Sequence, residues 1–159
     1  MKTRRKIGAG FAAFGVVGAV ILASAGGAGA AHEGLVVQGD LTGRAEVATD
    51  ATNDRIVGDP NGRGEAYVFS TSATNICYVI EVDKIAPATA AHIHEADAGT
   101  NGPVVIPLSA PTNGTSAGCV EGLEPGLAAD ITKNNPSDYY VNVHNLEYPG
   151  GAVRAQLGG

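Results

Sequence analysis

Residues 75–83 read Asn-Ile-Cys-Tyr-Val-Ile-Glu-Val-Asp, with Ile76, Tyr78, Ile80 and Val82 alternating with Cys77, Val79, Glu81 and Asp83. Successive side chains of an extended strand point to opposite faces, so this run presents an apolar face against a mixed one, with Cys77 toward a second packing surface. Similar short runs follow one another along the chain, divided by Gly, Asn, Asp and Pro. The strongest divider is Gly58-Asp59-Pro60-Asn61-Gly62. The pattern predicts strands over 35–42, 64–71, 75–83, 90–95, 104–108, 118–121, 139–146 and 152–157. Leu127, Ala128 and Ile131 stand at i, i+1, i+4, and Pro136 closes that segment, so one short helix is expected over 126–134. An all-β sandwich or barrel with one short helix follows.

The first thirty residues do not fit that scheme. Lys2, Arg4, Arg5 and Lys6 precede a small-residue apolar run from Ile7 to about Leu22, and Ala28-Gly29-Ala30 offers a cleavage site. Residues 1–30 are therefore expected to be a signal peptide, 31–38 a flexible mature N-terminus and 39–159 the folded domain. Six glycines between Gly8 and Gly27 weaken the competing reading of a membrane-spanning helix. The Arg4-Arg5 pair leaves the twin-arginine route open beside the general secretory one. With no apolar anchor near Leu157-Gly158-Gly159, the expected destination is the extracellular space or the cell envelope, with no stable membrane anchor after cleavage.

The leader holds four basic residues, so the rest of the chain carries 6 basic against 16 acidic side chains, a net charge of about −10. Nucleic acid and anionic membrane surfaces need clustered Lys and Arg, so this balance makes the chain a poor partner for either, and no nucleic acid is expected. Cys77 and Cys119 are the two cysteines of the chain. In an oxidising compartment such a pair is most simply a disulfide, and without C-x-x-C spacing a thiol metal site or redox pair has little support. Closing a loop of about 43 residues stabilises a fold by roughly 4 kcal/mol on the chain-entropy account.

Two histidines spaced by one residue, His92 and His94, project from one face of a strand about 7 Å apart. His144 lies on a later strand. There Tyr139, Val141 and Val143 form the core face, and Tyr140, Asn142 and His144 the other. By the same alternation Ala91 and Ile93 face in, as do Val153, Ala155 and Leu157, while Arg154 and Gln156 face out. If these strands are neighbours, His92, His94, His144 and Arg154 gather on one surface. Imidazoles suit copper, zinc or nickel, and three of them leave a coordination position open. The competing reading is a polar sheet surface whose histidines bond neighbouring turns. Cleavage after Ala31 would give His32 a free amine beside its ring; cleavage after Ala30 would leave it in a loose tail, and it is assigned no role.

Other chemistry is missing from the sequence. There is no G-x-S-x-G elbow, no free cysteine to pair with a histidine and no obvious carboxylate couple. Residues 97–102 lack the ligand spacing of an EF-hand loop and read as a turn. Tyr139, Tyr140 and Tyr148 fit strand packing better than a sticky patch.

LTGRAEV, GDPNGRGEAYV, NICYVIEV, AAHIHEADAGTNGPVVIPL, GCV and NPSDYYVNVHNLEYPGGAVRAQL, in that order, resemble the chordin-domain (CHRD) family over about residues 39–157. The resemblance implies a Greek-key β-sandwich of immunoglobulin-like or superoxide-dismutase-like type, repeated in the animal growth-factor antagonist chordin and single in many exported bacterial proteins. It implies no settled activity. A departure is LTGRAEVATD, where the family usually has a proline soon after Glu-Val. HIHEADAGTNGP, VNVH and GGAVRA are more distantly similar to copper/zinc superoxide dismutase. That similarity would make His92, His94 and His144 copper ligands and Arg154 an anion guide; Tyr140 and Asn142, on the same face as His144, either support such a site or simply face solvent. The bridging histidine and the remaining zinc ligands have no counterparts here, which disfavours a bimetallic dismutase. Two functions are therefore carried forward. The leading one is a non-enzymatic module binding an extracellular or envelope protein or glycan. The other is a copper-binding protein, with superoxide-dismutase-like redox activity as its extreme form.

Overall fold

In the computed structural model, residues 36–48 and 57–158 are described, and both stretches lie in one compact unit spanning Glu33–Gly159. The expected leader and His32 lie outside the described residues. Eight strands form: β1 Val36–Thr42, β2 Arg63–Ser72, β3 Asn75–Asp83, β4 Ala88–Glu95, β5 Val104–Leu108, β6 Thr115–Val120, β7 Tyr139–Asn145 and β8 Val153–Gln156. They make one antiparallel sheet in the order β5-β4-β7-β8-β1-β2-β3-β6, and the end strands β5 and β6 touch, so the sheet curls nearly into a barrel. β7 returns to lie beside β4 after the chain has run through β5 and β6, which is a Greek-key connection. The all-β expectation holds, with the two layers supplied by one curled sheet.

The inner faces are those given by alternation. Leu41, Ala66, Val68, Ile76, Ile80, Ile93, Ile106, Val141, Val143 and Val153 are wholly buried and pack into a common core. The expected helix forms as α1, Leu127–Ala129, and continues as a wider π turn over Asp130–Asn134; Ala128 and Ile131 are buried in the core. Thr132 Oγ1 donates to the Ala128 carbonyl at 2.7 Å within that segment, a local bond of the kind that bends a helix. Among the described residues no helix is long and apolar enough to cross a membrane.

Cys77 and Cys119 face each other across β3 and β6, with Cα atoms 4.0 Å apart, and are joined as a disulfide. The bridge ties the end strand β6 to β3, its hydrogen-bonded neighbour among the described strands. Cys77 is nearly buried and Cys119 is exposed.

Strand order also determines what can meet on the outer face. β4, β7 and β8 are consecutive neighbours, with His92 opposite Asn142, His94 opposite Tyr140, Asn142 opposite Arg154 and Tyr140 opposite Gln156. Residues from 12 to 50 positions apart in the chain thus form adjacent rows.

Candidate metal centre

The outer face of β4, β7 and β8 is not open to solvent. Tyr140, Asn142 and Arg154 are as buried as core residues, at 1%, 3% and 1% exposure. The connection between β4 and β5 folds across them. The Arg154 guanidinium donates to the Thr100 carbonyl at 2.9 Å, to the Asp97 carbonyl at 3.2 Å and to Gln156 Oε1 at 3.2 Å. Gln156 Nε2 donates to the Ala96 carbonyl at 2.8 Å. Asn101 Nδ2 donates to the Val47 carbonyl at 3.0 Å, which joins this connection to the segment after β1. Alternation therefore identified the right face, while the burial comes from loops that it does not describe.

Beside this covered patch lie the three histidines. His92 Nδ1 is 3.2 Å from His144 Nε2, and one nitrogen from each of His92, His94 and His144 lies within 4.8 Å of the other two. Two nitrogens bound at ~2.0 Å to one tetrahedral ion stand about 3.3 Å apart. The His92–His144 spacing already matches that value. Closing the third nitrogen from at most 4.8 Å onto a shared ion needs its spacing to shrink by up to about 1.5 Å, within the reach of side-chain rotations. The sheet register supplies the approach: β4 carries the H-x-H pair, and His144 lies opposite Ala90, one pleat further along β7.

Backbone carbonyls fix which nitrogens are free. A carbonyl can only accept, so His94 Nδ1 donates to the Gly102 carbonyl at 3.0 Å and His144 Nδ1 donates to the Pro149 carbonyl at 3.1 Å. Each ring is left with a lone pair on Nε2. That of His144 accepts from His92 Nδ1–H, and that of His94 is buried with no partner among the described residues. A buried unsatisfied nitrogen costs about 1–3 kcal/mol unless something occupies it. Burial lowers the pKa of all three imidazoles, and mutual repulsion adds to this at His92 and His94. They are held in the neutral form that a metal requires.

His94 is further immobilised by stacking. Its ring lies parallel to that of Tyr140, and the Arg154 guanidinium carbon sits 3.4 Å from the centroid of the same tyrosine ring. Since β7 lies between β4 and β8, Tyr140 is held between His94 and Arg154. Gly102 serves both rings, accepting from His94 and donating its N–H to Tyr140 Oη at 3.2 Å. A Cβ at Gly102 would collide with the Glu95 carbonyl oxygen, so only glycine brings the backbone this close.

Sequence reasoning named His92, His94, His144, Tyr140, Asn142 and Arg154, and the fold gathers all of them on one patch. It missed Glu46, Gly102, Pro149 and Gly151. Asn142 Nδ2 donates to Glu46 Oε2 at 3.2 Å, and the Glu46 carboxyl lies directly against the backbone of Gly151. The glycines were visible as turn residues in TNGP and YPGG, but the partners that make them necessary were not. Glu46 carries no local signal, standing 96 residues from Asn142.

No curated protein and no solved structure matches the chain. A family model for the CHRD domain matches residues 37–157, nearly the whole of the described fold, and the chain therefore belongs to the CHRD-domain family.

Proposed function

We propose that this CHRD-domain protein is exported and binds one copper ion through His92, His94 and His144. The observation that carries the reading is a trio of imidazoles, each offering a nitrogen within 4.8 Å of the other two, in which His94 Nε2 is buried with no hydrogen-bond partner among the described residues. Polar sheet histidines that merely bond neighbouring turns would not leave such an atom bare. Two of the three rings donate their other nitrogen to a backbone carbonyl, the arrangement that orients metal-binding histidines. Both cysteines are consumed by the disulfide, so no thiolate is available, and the candidate protein donors are the three imidazole nitrogens. Among first-row divalent ions copper binds such sites most strongly, with zinc and nickel behind it. Export is supported by the basic, apolar and small-residue order of residues 1–30, and the disulfide is compatible with an oxidising compartment.

A metal here would displace the His92–His144 hydrogen bond, with the His92 proton moving to the other ring nitrogen. Three protein ligands leave a position for an exchangeable fourth group, which suits storage, transfer or redox chemistry. Titrating the purified protein with copper(II) against a competing chelator tests the reading. One ion per chain is expected, with affinity reduced more than about 100-fold by His94→Ala. Equal affinity in wild type and variant would overturn it.

A further inference from the structure

Asn142, which lies opposite His92 in the sheet, is hydrogen-bonded to the carboxyl group of Glu46. Glu46 leaves the short helical turn Gly43–Ala45 and enters a niche closed by Gly58, Gly151 and Asn142. A Cβ on Gly151 would collide with both carboxyl oxygens, and one on Gly58 would meet Glu46 Cγ at 2.5 Å. The niche is thus shaped around this side chain. Asn142 Nδ2 donates to Oε2, but among the described residues Oε1 is buried without a partner, and so is Asn142 Oδ1. No cation forms an ion pair with Glu46 among the described residues. Two buried, unsatisfied acceptor oxygens on bonded neighbours are the arrangement expected of a carboxyl that holds a proton.

The position of the niche gives that proton a use. Asn142 lies directly opposite His92 on β4 and two residues before His144 on β7. Gly151 belongs to the same turn as Pro149, whose carbonyl orients His144. Resting on the metal reading above, we propose that Glu46 is the proton-exchanging counter-charge of the histidine centre. It is a neutral acid while the imidazoles hold no ion, and it ionises when a divalent ion binds. In balance, three neutral imidazoles, one carboxylic acid and one dication become the bound ion, one carboxylate and one proton released to solvent.

The groups packed on Glu46 are consistent with this exchange. Burial pushes its pKa up to about 7, opposed by the Asn142 hydrogen bond and by the charge of Arg154 on β8. Gly58 and Gly151, on the remaining sides, carry no side chain. A dication beside these elements would add a second positive influence to that of Arg154 and draw the proton off.

The test is calorimetric copper binding in buffers of different ionisation enthalpy, comparing wild type with Glu46→Gln, which retains an oxygen for Asn142. At pH 6 the wild type should release about one more proton per ion than the variant, and the difference should vanish by about pH 8.5, where Glu46 is already ionised. Equal proton release at pH 6 would overturn the proposal, as would weaker binding by the variant with an unchanged proton count. Failure of both proteins to bind copper would instead remove the histidine site on which the proposal rests. Should Glu46→Gln not fold, difference infrared spectroscopy of the wild type at pH 6 replaces it. Copper should abolish a protonated-carboxyl band, and persistence of every such band would contradict the assignment.

Discussion

The ring of His94 lies against the ring of Tyr140 with centroids 4.7 Å apart and planes within 9° of parallel. This contact joins the second histidine of the H-x-H pair to a residue with 1% exposure, so the imidazole shares the rigidity of the buried sheet face. Gly102 closes the arrangement through hydrogen bonds to both rings.

Tyr140→Phe keeps the stack and removes the oxygen that accepts the Gly102 N–H. We expect a loss of about 1–2 kcal/mol in urea unfolding. Tyr140→Leu also removes the stack and the cation–π contact with Arg154, and should cost more in stability and in copper affinity.

Gly102→Ala forces a Cβ against the Glu95 carbonyl and displaces the acceptor of His94 Nδ1. Copper affinity should fall by about 10–100-fold, the usual effect of losing a group that orients a metal-binding histidine. Nuclear magnetic resonance of the His94 ring should show that the Nδ1–H tautomer is no longer the single form. An unchanged tautomer and affinity would contradict the role given to this glycine.

Strand placement was the most legible part of the fold. The predicted strands over 75–83 and 104–108 match β3 and β5 residue for residue, because alternating or β-branched residues end there at turn formers. β6 begins at Thr115, three residues before its predicted start, since Thr115-Ser116-Ala117 carries too little apolar contrast to register as a strand. Face assignment along β7 was also legible, and with it the company of Tyr140, Asn142 and His144. What alternation could not convey was that the second face is buried too. Arg154 reads as an outward-facing charge, yet it is enclosed by carbonyls of residues 97 and 100. Its guanidinium is committed to holding that connection in place. Such covering depends on loop paths, for which side-chain periodicity carries no information.

Glu46 gives the fold an unusual pH dependence. Its folded pKa of about 7 lies above its ordinary value of 4.5, so its contribution is fully present below about pH 4.5 and is lost as pH rises through about 7. The change is on the order of 3 kcal/mol. Stability of the metal-free wild type relative to Glu46→Gln should therefore decline between pH 5 and pH 8, measured by urea unfolding. A flat difference would place the carboxyl in an environment unlike the one described.

Reduction of the Cys77–Cys119 bridge should cost roughly 4 kcal/mol by urea unfolding, and the exposure of Cys119 gives reductant access. The bridge joins β3 to β6, whereas the histidines stand on β4 and β7. Copper affinity of the reduced but still folded protein should match that of the oxidised form.

X-ray absorption spectroscopy of the copper-loaded protein tests the central claim most directly. The account predicts three imidazole nitrogens at about 2.0 Å from a single copper, with one imidazole lost from the spectrum of His144→Ala. A first shell of oxygen donors, or an imidazole count unaffected by that substitution, would contradict it.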